Sequence, residues 1–166
     1  MESSSPDRSG VSASVERVLD ALAALGGGHR VVELDRSART AADAAQALGC
    51  RVDQIVKSLV FRGRRTDQAV LVAGSGANRV DEDKVARLVD ESVEKADAAF
   101  VRARTGFAIG GVAPVGSTGP LTTLIDEDLF KWDEIWAAAG HPKTVFRLSP
   151  NDLVRMTGGR VAQVRA

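Results

Sequence analysis

The chain has 166 residues, of which 44% are hydrophobic, and this composition predicts one folded domain with a substantial core. Its 22 basic and 22 acidic residues cancel, so a contact with nucleic acid would have to come from a local basic patch. One cysteine excludes an internal disulfide and fits a reduced cytoplasm, and no apolar run is long enough to cross a membrane. The Ser-rich start lacks a signal-peptide core and predicts a loose tail over 1–12, followed by a domain over 13–166.

Hydrophobic periodicity, capping residues and glycine stops predict helices and strands along the whole chain. In order, they are a helix from Ser12 or Ser14 to the glycines at 26–28, a strand over 30–34, a helix over 40–49, strands over 54–61 and 68–74, helices opening at 81–83 and running over 97–105, two strands within 107–125, strands over 133–140 and 144–148, a helix over 149–159 and a strand over 160–164. The turn at 62–67 should make a hairpin of its two flanking strands. Because strands and helices do not alternate strictly, a mixed sheet is favoured over a doubly wound one.

The strand over 54–61 carries a lysine at its centre. Both of its faces are mostly apolar, which is typical of a strand covered on both sides. A buried, unpaired ammonium is costly, so Lys57 needs an explanation. It could extend from an edge strand to water or pair with a carboxylate such as Asp126. It could also bind a substrate carbonyl or phosphate, an interaction that a low dielectric strengthens.

Few other residues could carry chemistry. His29, His141 and Cys50 do not lie at metal-ligand spacing, so neither a metal nor a cofactor is expected. A nucleophilic pair of Cys50 with either histidine stays open as an alternative, and the sequence has no nucleophile elbow for a serine triad.

Two further segments allow both a structural and a functional interpretation. The glycine-rich segment GGVAPVGSTGP at 110–120 lacks the lysine and hydroxyl residue of a P-loop. It could be a tight turn between strands, or a backbone that approaches a ligand and holds a carbonyl or an anion. Arg62, Arg64 and Arg65 form a basic hairpin tip, which could be simply solvated or could bind phosphates.

The Lys57 strand and the glycine-rich segment together resemble the YbaK/prolyl-tRNA-editing family of aminoacyl-tRNA deacylases. The resemblance is carried by VKSLVF after an alanine-rich helix and by GGVAPVG some fifty residues later. Three more segments, VDEDKVARLV, LIDEDLFKWDEIWAAAG and LSPNDLVRMTGGRVAQV, extend it over roughly residues 15–165.

The resemblance implies a single α/β domain in which helices surround a mixed, largely antiparallel sheet of about six or seven strands. It implies a free-standing trans-editing deacylase that hydrolyses the ester of mischarged tRNA, of the Cys-tRNA(Pro) or Ala-tRNA(Pro) type. Lys57 and Gly110 are the implied catalytic residues, and Lys57 would be paired by substrate rather than by protein. The implied substrate-binding residues are Ser58, Gly111, Val112, Ala113, Pro114, Ala138 and Gly140.

In this family the activation of the attacking group is attributed to the substrate itself, through a ribose hydroxyl or a cysteine thiol. The implied partner is the acceptor end of a mischarged tRNA in the cytoplasm, without a membrane; a synthetase and a second copy of the chain stay open as further partners. The chain has no tyrosine, and Ala138 and Val145 stand where some members carry polar residues, so the edited amino acid is left open. The alternatives are a non-catalytic module that binds an amino acid, a nucleotide or tRNA, and an unrelated small-molecule enzyme.

Overall fold

The computed structural model describes residues 12–166, so the tail predicted over 1–12 lies, except for Ser12, outside the described residues. Within this range no helix is long and apolar enough to span a membrane. The helices are α1 (Ala13–Ala24), α2 (Ala41–Leu48), α3 (Glu82–Val89), α4 (Ala98–Thr105) and α5 (Pro150–Thr157). The strands are β1 (Val31–Glu33), β2 (Val56–Gly63), β3 (Ala69–Ser75), β4 (Val93–Lys95), β5 (Thr122–Asp126), β6 (Ile135–His141), β7 (Thr144–Leu148) and β8 (Arg160–Ala162). Short 3-10 helices span Val52–Gln54 and Glu127–Lys131.

The described strands form two sheets. Three of them pair antiparallel in the order β1-β7-β6. The other five have the order β4-β2-β3-β5-β8, in which β2 pairs antiparallel with both neighbours and β5 pairs parallel with both of its own. The predicted mixed α/β domain is confirmed, but the strands do not make one sheet. Among the described residues, the backbones of the two sheets meet at the parallel bridge of Ile55 with Trp136.

Local signals in the sequence place the helix ends. The Ser12 hydroxyl accepts from the Val15 N–H at the start of α1, and Thr40 accepts from the Asp43 N–H at the start of α2. At α5, Ser149 and Asp152 form a reciprocal capping box, with a proline in the first turn. These helices therefore begin where the sequence predicts.

The strand that carries Lys57 divides two parts of the core. Val56 and Val60 join the main cluster, which fills the space between α1, β3, β6 and the segment after α4. Phe61, on the other face of β2, packs with Val85 of α3 in a second cluster. The predicted cover on both faces of β2 is therefore confirmed, and β3 is buried along its whole length.

The segment over 107–125 departs from the prediction. It contains one strand, β5, and residues 107–121 have no regular structure. Glycines with positive φ, at 110 and 116, interrupt this segment, and residues 111–115 are buried as a continuous run rather than in the alternating pattern of a strand. The short, polar strand β4 was not predicted. Phe130, in the second 3-10 helix, is 40% exposed.

Helix α1 packs closely on β6 at a glycine. Gly140 has φ +97°, and a Cβ on it would lie 2.7 Å from the Ser14 carbonyl oxygen. The Ser14 hydroxyl donates to the Gly140 carbonyl at 2.9 Å. This contact fixes the start of α1 against the end of β6.

We expect Gly140→Ala to lower the free energy of unfolding by about 2–4 kcal/mol, since it combines left-handed strain with overpacking against α1. The matched control is Gly49→Ala. Gly49 has a similar φ of +69°, with nothing within 4 Å of a Cβ, so strain alone should cost about 1–2 kcal/mol. Urea denaturation of both variants measures the difference, and equal losses would contradict the tight packing of α1 on β6.

Candidate active site

A cleft lies between the two sheets, on the side of β2 that β3 does not cover. It encloses about 260 Å³ and is open at one side. Strands β2 and β6, the start of α2 and the segment after α4 form its walls. The residues that line it are Ala38, Arg39, Thr40, Ala41, Ala44, Ile55, Val56, Lys57, Ser58, Leu59, Ile109, Gly110, Val112, Trp136, Ala137, Ala138, Pro142 and Val145. A small, mostly apolar cleft with a few polar groups is the usual form of a ligand site.

Ser58 lines the cleft, and its backbone groups face this side of β2. The Ile55 carbonyl accepts from Gly76 beside β3, whereas the Val60 carbonyl accepts from Ala96 on the opposite edge. Because successive residues direct their backbone groups to alternate edges, the N–H and C=O of Ser58 point to the same edge as those of Val60. The Ser58 hydroxyl is buried and has no hydrogen-bond partner among the described residues. An unpaired buried hydroxyl costs about 1–3 kcal/mol, so a polar ligand group here would be stabilising.

The Lys57 ammonium is partly buried and has a protein partner. It donates a short hydrogen bond to the Asn78 carbonyl oxygen, so the expectation that only substrate pairs it is wrong. Burial lowers the pKa of Lys57, and the charge of Asp126 acts in the opposite direction. An ammonium has three N–H donors, so the bond to Asn78 leaves two for a ligand.

Asn78 is itself held by two carboxylates. Its side-chain amide donates to Asp126 at 2.9 Å and to Asp128 at 2.8 Å. Asp126 is fully buried and also accepts the backbone N–H groups of Ser75 and Asp128. Asp126 therefore influences Lys57 through charge and through the position of Asn78. Among the described residues it forms no direct ion pair with the lysine.

The segment after α4 brings Ile109, Gly110 and Val112 to the cleft, and Arg17 of α1 holds this segment at both ends. The Arg17 guanidinium donates to the Gly106 carbonyl at 2.6 Å and to the Gly116 carbonyl at 3.1 Å. It also lies 5.1 Å above the Phe107 ring. The Arg17 side chain thus fixes the backbone between Gly106 and Gly116, which includes the glycine-rich loop predicted from the sequence.

The structure brings five of the predicted site residues to the cleft: Lys57, Ser58, Gly110, Val112 and Ala138. The other four do not line it. Ala113 is buried in the core, Pro114 lines a second cavity beside α1 and α5, and Gly111 and Gly140 pack against neighbouring backbone. Sequence reasoning missed Asn78 and Arg17, because no local pattern marks a side chain whose partners are distant in the chain.

The other sequence candidates gain no support. His29 Nδ1 lies 3.2 Å from the Arg147 carbonyl, and His141 Nδ1 accepts from the Lys143 N–H. Burial raises the pKa of the Cys50 thiol, which disfavours the thiolate that a nucleophile needs. Among residues 12–166 no group of three His, Cys, Asp or Glu side chains could hold a metal. A larger cavity of about 720 Å³ adjoins the cleft between β1 and α2, but Lys57 does not reach it.

Residues 35–156 match the family described as aminoacyl-tRNA editing domain. The chain belongs to this family. It is 28% identical over 131 residues to the uncharacterised Bacillus subtilis protein YwhH, covering 79% of this chain and 83% of that one. It is also 28% identical over 126 residues to an Enterococcus faecalis protein named as a candidate Cys-tRNA(Pro)/Cys-tRNA(Cys) deacylase, covering 75% of this chain and 76% of the relative.

A solved structure described as a candidate trans-editing enzyme for prolyl-tRNA synthetase superposes with a TM-score of 0.88. It is 48% identical, and the match covers 94% of this chain and 99% of that one. The mixed α/β fold of this editing domain is thus shared with that protein over nearly its whole length.

In this editing domain we expect Gly110→Ala to reduce activity more than stability. Gly110 has φ +92°, but a Cβ would meet only Pro142, at 3.6 Å. The substitution therefore strains the backbone, by about 1–2 kcal/mol, without a clash. The loop would relieve that strain by moving at the cleft wall. Thermal unfolding together with deacylation per folded molecule tests this, and full activity in a variant with a much lower melting temperature would contradict it.

Proposed function

We propose that this editing domain is a free-standing hydrolase of mischarged aminoacyl-tRNA. The observation that carries the proposal is that Lys57, the free backbone edge at Ser58 and Gly110 line one small cleft. An ammonium and a free backbone N–H are donors that suit an ester carbonyl, whose oxygen gains negative charge when it is attacked.

The reaction needs little from the protein besides position and charge. Among the described residues, no carboxylate or imidazole lines the cleft, so the chain offers no general base there. A water molecule adds to the ester carbonyl carbon, and the ammonium stabilises the oxyanion that forms. The bond from that carbon to the ribose oxygen then breaks, and the proton that the water gives up passes, through the neighbouring ribose hydroxyl, to the ribose oxygen that leaves. An aminoacyl ester is activated enough for positioning and polarisation to dominate catalysis.

The lining of the cleft suits a small amino acid of low polarity. Several alanine side chains and Val145 line it. These apolar walls favour alanine or cysteine over charged residues. The names of the Enterococcus faecalis relative and of the 48% identical structure support a substrate of the Cys-tRNA(Pro) or Ala-tRNA(Pro) type.

We expect Lys57→Ala to reduce single-turnover deacylation of the preferred mischarged tRNA by about a hundredfold. The loss of one charge-stabilising contact at an oxyanion costs roughly 3 kcal/mol. Lys57→Arg should not restore the rate, because a planar guanidinium does not replace a compact ammonium in a small cleft. The measurement is ester hydrolysis at saturating enzyme, with tRNA binding measured separately.

The matched control is Lys84→Ala. The Lys84 ammonium also donates to a backbone carbonyl, that of Arg165 at 2.7 Å, but it lies away from the cleft. This variant should hydrolyse the ester at the wild-type rate. A Lys57→Ala variant as fast as this control would contradict the role of Lys57. A wild type that binds aminoacyl ligands but hydrolyses none of a broad panel would replace the hydrolase with a binding module.

A further inference from the structure

The turn between β2 and β3 presents two unpaired arginines on a firmly held backbone. Arg64 and Arg65 are both exposed. The Arg64 N–H donates to the Ser92 carbonyl at 2.9 Å, and the Arg65 N–H donates to Glu91 at 2.8 Å. Neither guanidinium forms an ion pair among the described residues. The backbone of this turn is therefore fixed while both charges remain available.

The Glu91 carboxylate holds the turn through several hydrogen bonds. Besides Arg65, its carboxylate accepts the N–H and hydroxyl of Thr66 and the side-chain amide of Gln68. These hydrogen bonds lower the pKa of Glu91 from 4.5 to about 2. The carboxylate also fills the space over Gly63, where a Cβ would lie 2.6 Å from it. All four donors to this acid come from the turn and its flank, so Glu91 does not face the two arginine side chains as an ion-pair partner.

The neighbouring arginines are used differently. Arg62 and Arg104 both form ion pairs with Asp67, and both lie over the Phe100 ring, at 5.0 and 4.5 Å. Asp67 adopts a left-handed φ of 63°, a strained conformation for a residue other than glycine. Arg62 and Arg104 are therefore neutralised by Asp67 and packed on Phe100. Arg64 and Arg65 are exposed to solvent.

The position of the turn relative to the cleft defines what it could contact. Lys57 and Arg64 lie at opposite ends of β2, seven residues apart, which corresponds to roughly 20 Å of strand. The hydrogen bond of Arg64 to Ser92 places it beside β4, on the same edge of β2 as the cleft. At a rise of roughly 3.4 Å per stacked nucleotide, that distance corresponds to about six nucleotides.

We propose that Arg64 and Arg65 bind phosphates of the tRNA acceptor stem while the aminoacylated 3′ end occupies the cleft. The inference rests on the proposed function for its substrate. This contact would be a second one, in addition to the cleft, and it would not depend on the RNA sequence. Because the net charge of the chain is zero, attraction to RNA must come from a local group of basic residues such as this one. Because the short single-stranded end bridges cleft and turn, the two sites hold one RNA molecule at two points.

The experiment uses the full chain with Arg64→Ala, Arg65→Ala and the double variant. Binding of an uncharged tRNA(Pro) transcript is measured between 50 and 200 mM salt, conditions over which phosphate contacts weaken strongly. Each single substitution should lower the slope of log K against log salt by roughly 0.7–0.9, and the double variant by about twice that. The control is Arg160→Ala, an exposed arginine in β8 at the opposite edge of the five-stranded sheet, which should leave the slope unchanged.

Catalysis gives the second measurement. With mischarged tRNA the double variant should lose about tenfold or more in kcat/KM at 200 mM salt, through KM. With the same amino acid esterified to adenosine alone it should match the Arg160→Ala variant. Wild-type slopes for Arg64→Ala and Arg65→Ala, or equal losses on both substrates, would overturn the acceptor-stem contact and leave the hydrolase intact. A wild type that hydrolyses neither substrate would overturn the proposed function, while the salt dependence of tRNA binding would still decide the role of the two arginines.

Discussion

The geometry of the site depends on the way the two sheets meet. Among the described residues their backbones pair at one bridge, between Ile55 and Trp136, and beyond it β2 and β6 line opposite sides of a cleft. Helix α1 contacts two elements that form walls of that cleft, namely β6 and the segment after α4. Ser14 binds the end of β6 at Gly140, and Arg17 binds both ends of the segment that carries Gly110. A substitution in α1 that breaks these contacts would therefore change the shape of the cleft, although α1 itself does not contact a ligand.

The energetic problem posed by Lys57 is resolved only in part within the protein. Burial makes the charged form less favourable, and the buried carboxylate of Asp126 offsets this through charge. The bond to the Asn78 carbonyl satisfies one donor, and that carbonyl is positioned because Asp126 and Asp128 hold the Asn78 side chain. A ligand in the cleft would complete the remaining hydrogen-bonding capacity of the ammonium and could also pair the Ser58 hydroxyl, which has no partner among the described residues. The incompletely paired polar groups of the cleft therefore lower the stability of the free protein, and a bound ligand would restore that stability.

Local structure and the central lysine were accessible from the sequence, but long-range arrangement was not. Helix caps such as Thr40 and Ser149 act within three residues, so the sequence states them directly. Lys57 stood out because a charge interrupts two apolar strand faces. In contrast, the Arg17 hydrogen bonds span 89 and 99 residues and the Lys57 bond to Asn78 spans 21, and a single sequence contains no pattern for such pairs.

The same limit explains the errors in the predicted sheet. Which strands pair depends on residues that are far apart in the chain. No local pattern in the sequence therefore predicts that the strands divide into two sheets. In the segment over 107–121, valines and phenylalanine suggested strands. There Phe107, Val112 and Val115 instead enter the core from an irregular backbone that Arg17 of α1 holds in place.

The free edge of β2 also bears on association between chains. An unpaired edge of apolar and β-branched residues is a template onto which a strand from another molecule can add. Over Val56–Leu59 that hazard is limited by the charge of Lys57 within the stretch. A charged residue in such a strand acts as a gatekeeper against aggregation. The fold thus keeps open, for a ligand, an edge that most proteins would pair or bury, and the lysine that the ligand would contact is also the residue that protects this edge.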